Sequence, residues 1–89
     1  MPISHLHKSL HFEANKILKV DIDAKANVYL LEHPNYHLFM QDMDYDYYGK
    51  EVETSPFYMK PPHPGYWELV IFAAAPGTAV SAQVSIVDE

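Results

Sequence analysis

Apolar and polar residues alternate with a period of two along much of this chain, the pattern of strands buried on one face. Leu18, Val20 and Ile22 alternate with Lys19, Asp21 and Asp23, which predicts a half-buried strand over residues 17–23. After a short connection, Val28-Tyr29-Leu30-Leu31-Glu32 reads as the next strand, and the two together as a hairpin. Val80, Ala82, Val84 and Ile86 alternate with Ser81, Gln83 and Ser85, predicting a closing strand over residues 78–87. Residues 3–11 alternate more weakly, with Leu6, Lys8 and Leu10 against His5, His7 and Ser9, and read as a short strand or extended arm. A turn over residues 12–16 follows, with Asn15 suited to a positive φ.

One stretch departs from simple alternation. Gly65-Tyr66-Trp67-Glu68-Leu69-Val70-Ile71-Phe72 is rich in β-formers and holds the only Trp. Trp67, Leu69 and Ile71 share one face, and Tyr66, Glu68, Val70 and Phe72 the other. Both faces are apolar apart from Glu68, which predicts a central strand covered on both sides. Elsewhere, His33-Pro34-Asn35 breaks the preceding strand. Tyr36, Phe39 and Met40 then recur at helical spacing, with Leu38 and Met43 nearby. This predicts a short helical turn over residues 35–43, closing one open end of the sheets, with Pro34 tolerated at its start. Residues 42–53 are polar and tyrosine-rich, with Gly49 marking a turn or bulge. Residues 54–60 read as an edge strand interrupted by Pro56. Pro61-Pro62-His63-Pro64-Gly65 forms a rigid corner, and residues 73–77 turn the chain once more. The elements predict a single mainly all-β domain over residues 1–89. Its form is a compact antiparallel β-sandwich or small barrel of six to seven short strands.

Composition narrows the function classes. Hydrophobic residues make up 48% of the 89 residues, enough for a modest core and too many for a disordered tail. No Cys is present, so disulfides and thiol nucleophiles drop out. All six cations are Lys, against twelve Asp and Glu, for a net charge of −6. Nucleic acid and membrane surfaces are therefore disfavoured as ligands, and a cationic protein patch or a metal ion is easier. The first residues lack the apolar core of a signal peptide, and no apolar run reaches the ~20 residues of a membrane span. A cytoplasmic location is the expectation.

Three segments in order, Ala26-Asn27-Val28-Tyr29-Leu30-Leu31, then Tyr47-Tyr48-Gly49 with Thr54-Ser55-Pro56, then Gly65-Tyr66-Trp67 with Gly77-Thr78, resemble the bacterial domain-of-unknown-function family 1883. The resemblance runs from about Leu10 to Val87. It implies a compact β-sandwich with no assigned catalytic residues. Similar domains stand alone or beside a TIR-type signalling domain, which hints at a sensing or interaction role in defence. Relatives are often basic just before the Tyr-Tyr-Gly motif, whereas this chain has Asp42, Asp44 and Asp46. An anionic ligand inferred from those relatives does not transfer.

Candidate chemistry is sparse. Asp42, Asp44 and Asp46 alternate and Glu53 lies at the twelfth position, an echo of a calcium loop. Tyr47 stands where that loop wants Gly, and Lys50 occupies the ninth position, so a solvated acidic loop is the stronger reading. His5 and His7 are weak metal candidates, ~6.6 Å apart on one strand face. His11, His33, His37 or His63 would have to supply a third ligand, and Pro34 argues against a helical pairing of His33 with His37. No metal and no cofactor is favoured. Ser55 and Ser81 lack any nucleophile elbow. Glu68 reads as an acid with a raised pKa, or, more often for such a residue, as a carboxylate on an open face or paired with a Lys. Catalysis is not expected.

The remaining signal is aromatic. Tyr45, Tyr47 and Tyr48 lie among aspartates that keep them at the surface, and Tyr58 sits on the edge strand. The expectation is a non-catalytic protein-interaction module. Its site is Asp42, Asp44, Tyr45, Asp46, Tyr47, Tyr48 and Tyr58, with steering by carboxylates and anchoring by tyrosines. Self-association through the edge strand is the accompanying expectation. A metal- or carbohydrate-binding sandwich is the alternative, and a small enzyme comes last.

Overall fold

The computed structural model describes residues 5–75, 77 and 79–89. Seven strands and one helix follow in the order β1 (Leu6–Phe12), β2 (Lys16–Ile22), β3 (Ala26–Leu31), α1 (His33–Met40), β4 (Tyr48–Val52), β5 (Phe57–Met59), β6 (Gly65–Ala73) and β7 (Ala82–Asp88). The strands form a four-stranded sheet ordered β1-β6-β3-β4 and a three-stranded sheet ordered β5-β2-β7. All pairings are antiparallel. The result is an open two-sheet sandwich rather than a closed barrel.

The inner faces of the two sheets make the main core. Leu10, Phe12, Val28, Leu30, Trp67, Leu69 and Ile71 from the larger sheet meet Leu18 and Val20 from the smaller one. Burying these side chains stabilises the fold by roughly 1.5–3 kcal/mol each before entropy is counted. Trp67 is buried without an orphaned donor, because its indole N–H donates to the carbonyl of His63 at 3.1 Å.

β6 is central, as its two apolar faces predict. It pairs with β1 on one side and β3 on the other. Its outer face is covered in part by α1, where Phe39 packs with Leu31 and Val70 in a second, smaller cluster. The expected helical turn therefore does not close an end of the sheets. Phe39 has an apolar seat waiting between β3 and β6, and the helix lies across that outer face. It also begins earlier than expected: His33 and Pro34 form its first turn, where a missing N–H costs nothing.

The expected hairpin of β2 and β3 is corrected. The two strands lie in different sheets, and the link between them crosses from one sheet to the other. Both strands alternate, so the pattern alone did not say whether they pair or face each other. What decides is β3's outer face, where Leu31 is fully buried and Tyr29 partly so: β3 needs cover on both sides and takes a place beside β6. The crossing is held by Ala74 donating to the carbonyl of Lys25 at 3.2 Å and by Ser81 N–H donating to Asp23 at 2.8 Å.

Smaller differences follow the same logic. Phe12 ends β1 with its ring fully buried rather than starting the turn, and Asn15 takes the expected positive φ of 66°. β7 starts at Ala82 rather than at residue 78, which lies outside the described residues, as do Ile3 and Ser4 of the expected first strand. Ile86, expected inside, is 37% exposed because β7 is an edge. β5 is the expected edge of residues 54–60, cut to three residues, which makes it a blunt template for further pairing.

Gly49 lies within β4 at φ 149°, and a Cβ built there would stand 2.0 Å from the carbonyl oxygen of Val28. Gly65 has φ 129° but open space around the same position. Gly65→Ala should therefore cost only the backbone strain, about 1–2 kcal/mol. Gly49→Ala should cost about 3–5 kcal/mol, since strain and a backbone clash add. Chemical denaturation of the two variants checks this, and equal losses would contradict the close approach of β4 to β3.

Candidate functional site

The outer face of the larger sheet gathers Tyr29, Tyr36, Tyr45 and Glu68, the partly buried titratable side chains of the domain with shifted pKa values. Register sets their positions. Ser9 on β1 is directly opposite Glu68 on β6, which is opposite Leu31 on β3. His7 is opposite Val70, one step along the same face. The alternation that sends Leu10 and Phe12 inward thus sends His7, Ser9 and His11 outward.

Glu68 is the hub of the β1 side. Its carboxylate accepts the single hydrogen bond of the Ser9 hydroxyl, which lies 2.7 Å from Oε2 and 3.1 Å from Oε1. His7 Nε2 lies 2.8 Å from Oε2, and His33 Nδ1 lies 3.5 Å from Oε1. The side chain is only 13% exposed. Burial alone would raise its pKa, but the bonds from Ser9, His7 and His33 outweigh that and hold the carboxyl below its ordinary value of 4.5. Two of the readings of Glu68 are corrected. It is not a raised-pKa acid, and its partners are histidines and a serine rather than a Lys.

The helix completes this cluster. Tyr36 stacks on His7 with ring centroids 4.1 Å apart, and His5 packs edge-on to Phe39 at 4.9 Å. The Tyr36 phenol is pushed up by burial and then by the charge of Glu68. His33 and His37 sit one turn apart on α1, with their Nε2 atoms 3.1 Å apart. The expectation that Pro34 prevents this pairing fails, because the helix tolerates Pro34 in its first turn. His5 and His7 are thus joined by His33 and His37 around Tyr36 and Glu68. His11 packs instead on Tyr66, and His63 contacts Glu32 at 3.4 Å. Among the described residues, no three or more His, Asp or Glu side chains converge to hold a metal ion.

A second cluster lies toward β3 and β4 on the same outer face. Tyr47 stacks on Tyr29 at 3.9 Å, and Tyr45 packs edge-on to Phe39 at 5.3 Å and near Tyr47 at 5.7 Å. Tyr29 also meets Phe72 at 5.2 Å. Burial and then the hydrogen bond it makes to Tyr47 push the Tyr29 phenol up to about 12. Tyr47 itself remains well exposed, as do Met40 at the end of α1 and Met43 just after it.

Compared with known families, residues 3–89 match the one described as Domain of unknown function (DUF1883). The chain belongs to this family. No curated protein matches it, and no solved structure does.

In this DUF1883 domain the seven residues expected to form one partner site separate. Asp42, Asp44, Tyr45, Asp46 and Tyr47 lie in the segment that leaves α1 and returns along the outer face. Asp46 N–H donates to the Asn35 side chain at 3.1 Å, tying that segment to the helix. Tyr48 points to the other side of the sheet, where it meets Trp67 edge-on at 5.5 Å. Tyr58 is opposite Lys19 on the outward face of the smaller sheet, away from the others. Glu53, the closing residue of the calcium-like spacing, is paired with Lys25 at 3.1 Å, and Lys25 also holds Glu51 at 3.0 Å. The DUF1883 fold thus offers an acidic tyrosine surface and a histidine–carboxylate cluster side by side. The second was missed in the sequence. Its one signal was the run of His5, His7, Ser9 and His11 at alternate positions, matching the lone Glu68 on the strand expected to be central.

Glu68 contributes stability that is present above its ordinary value of 4.5 and is lost as pH falls through its lowered folded value. Glu68→Gln should therefore destabilise the domain at neutral pH by about 1–2 kcal/mol. The gap between variant and parent should close as the pH is taken below that range. Urea midpoints measured from pH 7 to pH 3 check it, and a pH-independent gap would contradict the assignment.

Proposed function

We propose that this domain is a non-catalytic interaction module that docks a basic protein segment on the acidic tyrosine surface of residues 42–47. The observation that carries this reading is the exposure of Tyr47, 45% open although it is stacked on Tyr29, while Met40 and Met43 at the end of α1 and just after it are exposed at 39% and 55%. Exposed aromatic and Met side chains, seated on a rigid base and rimmed by carboxylates, are the pattern of an interface centre with a polar rim. Asp42, Asp44 and Asp46 supply that rim, and the chain's net charge of −6 extends the same field. Tyr29 holds one face of Tyr47, so the ring is already ordered and loses little freedom on binding. Tyr48 and Tyr58 lie elsewhere and take no part.

The test is capture from native lysate by the tagged domain. Polypeptides retained at low salt should be released at high salt. Tyr47→Ala combined with Asp44→Asn and Asp46→Asn should reduce their recovery at least tenfold, with the circular dichroism spectrum unchanged. Tyr58→Ala should leave recovery intact. Equal recovery by the parent and the triple variant would rule out this surface.

A further inference from the structure

We propose that His33 and His37 form a two-imidazole binding site for a divalent transition-metal ion, copper(II) above zinc(II), with Glu68 as the positioning residue. The two side chains stand at i and i+4 on α1, so they project from the same face of the helix. Their Nε2 atoms face each other 3.1 Å apart. Two imidazoles bound to one tetrahedral ion at about 2.0–2.1 Å would place those atoms ~3.3 Å apart. A small outward swing of two exposed rings meets that spacing.

The far side of His33 supplies the second observation. Its Nδ1 faces Glu68 Oε1 at 3.5 Å. Metal-bound histidines characteristically give their other ring N–H to a carboxylate, which fixes the tautomer and strengthens the ligand. Glu68 is suited to this task, because Ser9 and His7 hold its carboxylate in place. With Nδ1–H directed at Glu68, the Nε2 of His33 carries a free lone pair. The imidazole contact then has His37 donating its Nε2–H to that lone pair. Metal binding requires one change: His37 moves its proton from Nε2 to Nδ1 and turns a lone pair to the ion. It is the neutral imidazole that ligates the ion.

The remaining coordination positions fall to water, since no third His, Asp or Glu converges there among the described residues. Glu68 does not serve as that ligand, because it lies on the opposite edge of the His33 ring. Imidazole pairs of this kind follow the divalent series toward copper(II) and have little use for calcium or magnesium. The helix N-terminus opposes a cation, and the nearby carboxylates of Glu68 and Glu32 oppose that effect.

Calorimetric titration of the full chain with copper(II), and with zinc(II) in parallel, tests the proposal. His37→Ala should weaken the binding of one equivalent at least tenfold. Glu68→Gln should weaken the same equivalent by about tenfold without changing the stoichiometry. His11→Ala, remote on β1, should leave it unchanged. Imidazole nitrogen NMR with zinc(II) separates ligation from a structural effect. The Nε2 signals of His33 and His37 should shift together while His33 keeps its proton on Nδ1. Binding that His37→Ala leaves intact, or the absence of binding with either ion, overturns the site.

Discussion

The double coverage of β6 is the constraint on which the rest of the domain depends. Trp67, Leu69 and Ile71 fill the space between the two sheets, while Val70 on the reverse face needs its own cover. A free-standing sandwich would leave that reverse face to water. Here α1 crosses it and seats Phe39 on Val70 and Leu31. The helix has little amphipathic character of its own, and its one fully committed contact is this ring. The candidates carried by α1 and by the segment after it owe their position to that contact, since Phe39 fixes both where the histidines of α1 descend and where residues 42–47 return.

Glu68 shows how a polar group is accommodated in such a setting. A carboxylate on a largely covered face must be charged and well bonded, or neutral and isolated. Ser9 and His7, set beside it by the β1–β6 register, and His33, set above it by α1, select the first state. The same arrangement orders the histidines. On the other flank the tyrosines stack on one another, which gives a loop rich in aspartate a defined shape. The outer face thus carries two differently built surfaces on one rigid floor.

Much of the fold was legible in the chain because a period of two, interrupted by Gly and Pro, leaves few alternatives. The central place of residues 65–72, the inward set of Leu18 and Val20, and the short edge after Pro56 all follow from local pattern. Pairing was less legible. Asp23-Ala24-Lys25 is short enough for a hairpin, and only the hidden outer face of β3 shows that it crosses between sheets. The candidate site was half legible for a similar reason. Asp42 to Tyr47 announces itself by composition, whereas Tyr48 and Tyr58 are adjacent in type but are turned away by strand parity and by the sheet to which they belong. The histidine cluster joins residues up to 61 positions apart, and no local spacing encodes that.

The claim at the centre of this account is that the domain works through the outer face of its larger sheet. The most direct measurement is site-specific photo-crosslinking in cells, with a photoreactive phenylalanine at position 47, at position 58, and at position 86 on the opposite sheet. The account predicts a discrete cross-linked product at position 47 alone. A product confined to position 58 or 86 would place the working surface on the smaller sheet and contradict it.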